Sequence, residues 1–152
     1  TAAPNSPFLN LYLASMIKSN DKGFLSRDIT VQSLVETKGD IHHIFPKHYL
    51  KNNNKSRAEY NQLANFVMMQ QEINIAVGKK SPDQYFKEIR EQCRGGKKKY
   101  GAIDTMEELN DNLKKHCIPE SIFEMDVDNY DEFLKERRKL IAKKIKAYYN
   151  KL

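Results

Sequence analysis

Cysteine occurs only twice in this chain, at Cys93 and Cys117, 24 positions apart and in no C-x-x-C pair. That scarcity excludes a disulfide framework and a cysteine-rich zinc site, and both residues read as reduced thiols of a cytoplasmic protein. No apolar run approaches the roughly 18–20 residues a membrane span requires, and no signal peptide is visible, so a membrane is not among the expected partners. Internal repeats and long low-complexity segments are also missing, which excludes solenoids and extended tails.

What is present fits one domain of 152 residues, long enough to fold without disulfides or a structural metal. Hydrophobic residues make up 39% and charged residues 30%, so the expectation is a modest core under a heavily charged surface. An excess of 26 basic over 20 acidic side chains gives a net charge of +6. Such an excess suits a polyanion, but many proteins without one are as basic, so charge alone does not decide. The chain starts at Thr1 without methionine and reads as a piece of a longer polypeptide.

Asn5-Ser6-Pro7 reads as a helix start, with Ser6 as cap and Pro7 in the first position; Phe8, Leu9, Tyr12, Leu13, Met16 and Ile17 then recur on one face. Residues 24–38 are ambiguous between a strand at Ile29-Thr30-Val31 and a helical turn over Ser33 to Glu36. Asp40 to Phe45 reads as a strand ended by Pro46, and Lys51 to Arg57, with three consecutive asparagines, as a polar loop. Phe66-Val67-Met68-Met69 is a second strand and Gln70 to Ala76 a helix stopping near Gly78, which together make a ββα unit. Ser81-Pro82-Asp83-Gln84 starts the next helix, with Gln84 at capping-box spacing. Lys97-Lys98-Lys99 is a loop, and Thr105 to His116 a helix capped by Thr105 with Glu108, in which His116 is structural. Asp104 to Glu132 is acidic and unsuited to a polyanion. The last helix, from about Asn129 to Tyr149, carries one stripe of Leu134, Ile141, Ile145 and Tyr148, with Lys135, Arg137, Arg138, Lys139, Lys143, Lys144 and Lys146 filling the rest.

Chemistry concentrates at Asp40-Ile41-His42-His43-Ile44-Phe45-Pro46, followed by Asn65 and then Asn74. Hydrolysis of a phosphodiester needs a base to activate water and a cation to stabilise charge on the phosphorane and the leaving oxygen. Histidine titrates near working pH and suits the base. Adjacent strand residues point to opposite sides, so His42 and His43 reach one cleft only where a loop or bend brings them there. The amide oxygen of Asn74 is a hard neutral ligand for Mg²⁺ or Mn²⁺. Asn65 is placed to organise the loop and to hold the His43 imidazole by a hydrogen bond, fixing its tautomer. Lys47, Lys79 and Lys80 suit contacts to backbone phosphates or, equally, solvated helix ends. His48 reads as a surface residue or a neighbour of the phosphate, and Asn52, Asn53 and Asn54 as turn formers.

The order His42-His43-Ile44-Phe45-Pro46, Asn65, Asn74 resembles the HNH motif of ββα-metal endonucleases. The resemblance implies His42 as metal ligand, His43 as general base, Asn65 as the central asparagine and Asn74 as second ligand. With Pro7-Phe8-Leu9-Asn10 upstream and Pro82 and Tyr85 downstream, the first ninety or so residues are similar to the C-terminal nuclease domain of GmrSD-type restriction proteins. That family implies cutting or nicking of invading DNA in antiviral defence, and an N-terminal nucleotide-hydrolysing sensor domain in the same longer polypeptide. Many HNH enzymes have histidine where this chain has Asn74, which favours Mg²⁺ or Mn²⁺ over Zn²⁺.

The expected fold is α+β and mostly helical, with a small ββα-metal unit embedded among helices and a basic C-terminal helix. Residues 1–100 form the nuclease core, and residues 101–152 a helical extension packed on the same domain. The expected function is metal-dependent DNA endonuclease. Its rivals are a non-catalytic nucleic-acid-binding module using the basic C-terminal helix and a helical adaptor for an acidic protein.

Overall fold

The computed structural model describes residues 6–152. Within it, Ser6 caps helix α1 (Pro7–Lys18), its hydroxyl accepting from the Leu9 amide at 3.2 Å. Asn5, the first residue of the expected helix start, lies outside the described residues. The ambiguous stretch resolves as helix α2 (Val31–Glu36), capped by Thr30, which accepts from the Ser33 amide at 3.0 Å. The strand alternative survives only as one isolated bridge, Lys22 to Thr30. A hydroxyl cap ahead of an apolar Val31 and Leu34 pair decides for the helix.

Strand β1 (Ile41–His43) is followed by helix α3 (Lys47–Asn52) and helix α4 (Arg57–Tyr60). The polar loop expected from 51 to 57 is therefore shorter: α3 runs to Asn52, and α4 begins at Arg57 under a Ser56–Glu59 capping box. Three asparagines read as loop, but only Asn54, at φ 64°, takes the left-handed turn conformation. A 3-10 turn (Leu63–Asn65) leads into strand β2 (Phe66–Met68) and helix α5 (Gln71–Val77), which Gly78 ends at φ 58°. Helix α6 (Pro82–Gln92) starts without the expected capping box, because the Ser81 hydroxyl bonds the Asp83 carboxylate instead. Helix α7 (Met106–Lys115) does use Thr105, which accepts from the Glu108 amide at 3.1 Å. Two 3-10 turns, Glu120–Glu124 and Val127–Asn129, precede helix α8 (Tyr130–Tyr149).

The protein is α+β: 59% of the described residues are helical, so the one small sheet among them has to be held by helices. β1 and β2 pair antiparallel, with Ile41 opposite Met68, His42 opposite Val67 and His43 opposite Phe66. A two-stranded ribbon this short has no independent stability. Its support comes from the residues just beyond β1: Ile44 and Phe45 are fully buried, and the Phe45 ring lies 5.0 Å from Tyr130 and 4.9 Å from Phe133. Burying each such side chain is worth roughly 1.5–3 kcal/mol, enough to pin the two histidines that precede them. The same core joins Phe24 and Tyr85 to Leu109 and Phe133, so it runs across position 100 without a break.

Helix α8 corrects one part of the sequence reading. Arg137, expected on the charged side, is completely buried. Its guanidinium donates to the carbonyls of Ala64 and Phe66 at 2.8 Å each, to that of His116 at 3.1 Å and to the Tyr12 hydroxyl at 3.3 Å. A single side chain thus ties α8 to α1, to the end of α7 and to the two residues flanking Asn65. On α1, the expected apolar face holds for Leu9, Tyr12 and Met16, whereas Phe8 is 69% exposed. Cys93 and Cys117 are free and buried. No described helix is long and apolar enough to cross a membrane.

Candidate functional site

An open cleft of about 600 Å³ is lined by Asp40, Ile41, His42, His43, Pro46, Lys47, His48, Asn74 and Gly78. It is built from the two ends of β1, the first turn of α3 and the exposed side of α5. Period-two alternation would separate His42 from His43. The strand is only three residues long and turns at once into the buried Ile44-Phe45 pair, and both histidines line the same cleft. His42 also borders a second, smaller hollow, with Asp40, Gln70 and Gln71.

His43 is held on three sides. Its ring meets Phe66 edge-on at 5.4 Å and Tyr60 at 6.1 Å. Its Nε2 lies 2.9 Å from Oδ1 of Asn61. With that amide oxygen as acceptor, Nε2 carries the proton and Nδ1 keeps its lone pair, the tautomer a general base needs. Burial lowers the His43 pKa below the ordinary histidine range; the Asn61 bond opposes this, and Lys47 and His42 add to it. The imidazole is neutral near pH 7 and able to accept a proton.

The orienting contact expected from Asn65 is made by Asn61. Asn65 is fully buried and turned toward the backbone: Oδ1 accepts from the Phe45 amide at 2.8 Å, and Nδ2 donates to the carbonyls of Phe45 at 3.1 Å and Tyr60 at 3.2 Å. Its backbone carbonyl also accepts from the Ile44 amide at 2.9 Å. Asn65 therefore staples the segment after His43 to the segment before β2, the loop-organising part of its expected role. Asn61 was missed because it lies at the end of a four-residue helix, and nothing in its spacing marks it.

Burial also lowers the His42 pKa, against the nearby charge of Asp40 and a hydrogen bond that the imidazole donates to the Gln71 side chain. A neutral imidazole is what a cation needs as ligand. Among the described residues no three His, Cys, Asp or Glu side chains converge as a metal cluster. The donor-bearing residues that line the cleft are His42, His43, His48, Asn74 and Asp40, of which His43 is already bonded to Asn61. With His43 held by Asn61, a set of imidazole, amide and carboxylate fits a hard, partly hydrated Mg²⁺ or Mn²⁺, and the cleft offers none of the thiolates of a cysteine-rich zinc site.

Of the expected phosphate contacts, Lys47 lines the cleft, with its ammonium 5.9 Å from the Tyr60 ring centre. His48 lines it too and is exposed. Lys79 is exposed just beyond Gly78. Lys80 is engaged elsewhere: its ammonium donates to the Tyr100 hydroxyl at 2.9 Å and pairs with Glu88 at 3.4 Å. Lys98 and Lys99, expected as part of a solvated loop, pair with Asp104 and Glu88. His116 is buried and bonds the Lys22 carbonyl at 2.7 Å, in keeping with a structural role.

No family model matches the chain, and no solved structure does. The chain is similar to an uncharacterized protein of Methanocaldococcus jannaschii, 33% identical over 117 aligned positions that take in 68% of this chain. The match covers 20% of that relative, so the chain spans about a fifth of its length.

Proposed function

We propose that the protein is a metal-dependent DNA endonuclease of the HNH type, the effector domain of a restriction or phage-defence protein. The observation that carries this reading is His43, half-buried and bonded through Nε2 to Asn61, lining one cleft with His42, Asn74 and Lys47. In the proposed reaction His43 takes a proton from a water molecule through Nδ1 as that water attacks the phosphorus in line. Lys47 and Lys79 hold phosphate oxygens of the DNA backbone. His42 and Asn74 would hold Mg²⁺ or Mn²⁺, which would supply positive charge where the leaving 3′ oxygen departs. Asn65 acts through the backbone by fixing the turn after His43. One cleft of this kind nicks one strand. The proposed partner domain, a nucleotide-hydrolysing sensor, belongs to the same longer polypeptide.

The test is conversion of supercoiled plasmid to open circles with Mg²⁺ or Mn²⁺, beside His43→Ala and an EDTA control. Metal-dependent nicking lost in the variant supports the reading. Cleavage unchanged by His43→Ala removes His43 as the base.

A second reading, a non-catalytic nucleic-acid-binding module, draws on α8. Lys135, Arg138, Lys139, Lys143 and Lys146 are exposed, and Arg138 donates to the Gln62 side chain at 3.0 Å, next to Asn61. Binding by that face without cleavage would weaken steeply with salt.

A further inference from the structure

The two ligands read from the motif, His42 and Asn74, are both neutral. A divalent cation held by neutral donors alone would keep its full charge beside Lys47, and such sites bind weakly because affinity follows the ligand charge count. Of the residues lining the cleft, only Asp40 carries a carboxylate. Asp40 stands immediately before β1, two positions from His42, and lines both the main cleft and the adjoining hollow on the other side of His42. Among the described residues it has no ion-pair or side-chain hydrogen-bond partner. The neighbouring Glu72 borders only the hollow, and its carboxylate accepts from the Gln70 amide at 2.8 Å.

We infer that Asp40 is the third protein ligand of the cation, the one anionic donor of the cleft. The inference rests on the proposed metal site and adds to it the group that supplies its charge. A mixed set of carboxylate, imidazole and amide leaves room for water and phosphate oxygens and selects Mg²⁺ or Mn²⁺ over softer cations. Asp40 is exposed and lies in a loop, so replacing it by asparagine keeps its shape and leaves the core untouched.

The experiment is titration of the full chain with Mn²⁺ alone, without DNA, following free Mn²⁺ by electron paramagnetic resonance. Wild-type protein is expected to bind one ion, Asp40→Asn to bind it about 10–100-fold more weakly, and Glu72→Gln to match wild type. His42→Ala is the reference for loss of a ligand. Equal affinity of Asp40→Asn and wild type, with His42→Ala weakened, would remove Asp40 and leave the metal site standing. An equal loss in Glu72→Gln would show a diffuse field effect and overturn the ligand role. No Mn²⁺ bound by wild type would overturn the inference and the metal reading together.

Discussion

Asn61 Oδ1 lies 2.9 Å from His43 Nε2, although Asn61 ends one short helix and His43 ends a strand 18 residues earlier. The contact sets the tautomer of the proposed base. Asn61→Ala is expected to lower plasmid nicking by about 10–100-fold, the usual effect of losing an orienting partner. Asn61→Asp, which keeps an acceptor for Nε2, is expected to retain more activity than the alanine variant. Because Asn61 is only half-buried, circular dichroism and the urea midpoint of both variants should match wild type.

Asn65 should behave in the opposite way. Its side chain makes three hydrogen bonds to backbone groups and is fully buried. Asn65→Ala leaves those groups unpaired and is expected to cost about 2–4 kcal/mol, read as a lower urea midpoint. A variant that kept full stability while losing activity would return Asn65 to direct contact with the chemistry.

Arg137→Met removes five donors from a site where carbonyls of Ala64, Phe66 and His116 depend on them. The expected loss is about 3–5 kcal/mol, since breaking a buried network leaves its remaining members unsatisfied. Arg137→Lys should recover little of it, because an ammonium cannot reproduce the planar fork that bonds several carbonyls at once. Chemical denaturation of the two variants checks this directly.

His116 makes stability depend on pH. Burial lowers its pKa to about 3 from an ordinary 6.5, with the Lys22 carbonyl acting against the shift and Arg137 and Lys144 adding to it. The unfolded chain therefore takes up the proton first as pH falls. The full contribution is present above about pH 6.5 and is lost progressively toward pH 3. Between pH 7 and 5 the loss should be about 2 kcal/mol. Urea midpoints at those two pH values should differ less in His116→Gln. Glu108, whose carboxyl the Arg27 hydrogen bond lowers to about 2, titrates below this window and does not confuse the comparison.

Much of the fold was legible because its signals are local. Ser6, Thr105 and the Pro82 start follow from capping chemistry, and the ββα unit follows from two short apolar runs bounded by polar residues. The Gln84 capping box failed because Ser81 had a nearer acceptor in Asp83. The loop from 51 to 57 was overdrawn because asparagine tolerates the last turn of a helix as well as a loop.

The sequence by itself singled out His42, His43 and Asn74 as candidates, since residue type and order in one segment carry that information, and the three line one cleft. It also determined the α+β class, because hydrophobic period and capping are properties of neighbours in the chain. Tertiary structure alone decided that Asn61 holds His43, that Lys80 is taken by Glu88 and Tyr100, and that Arg137 belongs to the core. Each depends on a partner up to 125 positions away, and long polar side chains reveal whether they face water or carbonyls only once those partners are brought together.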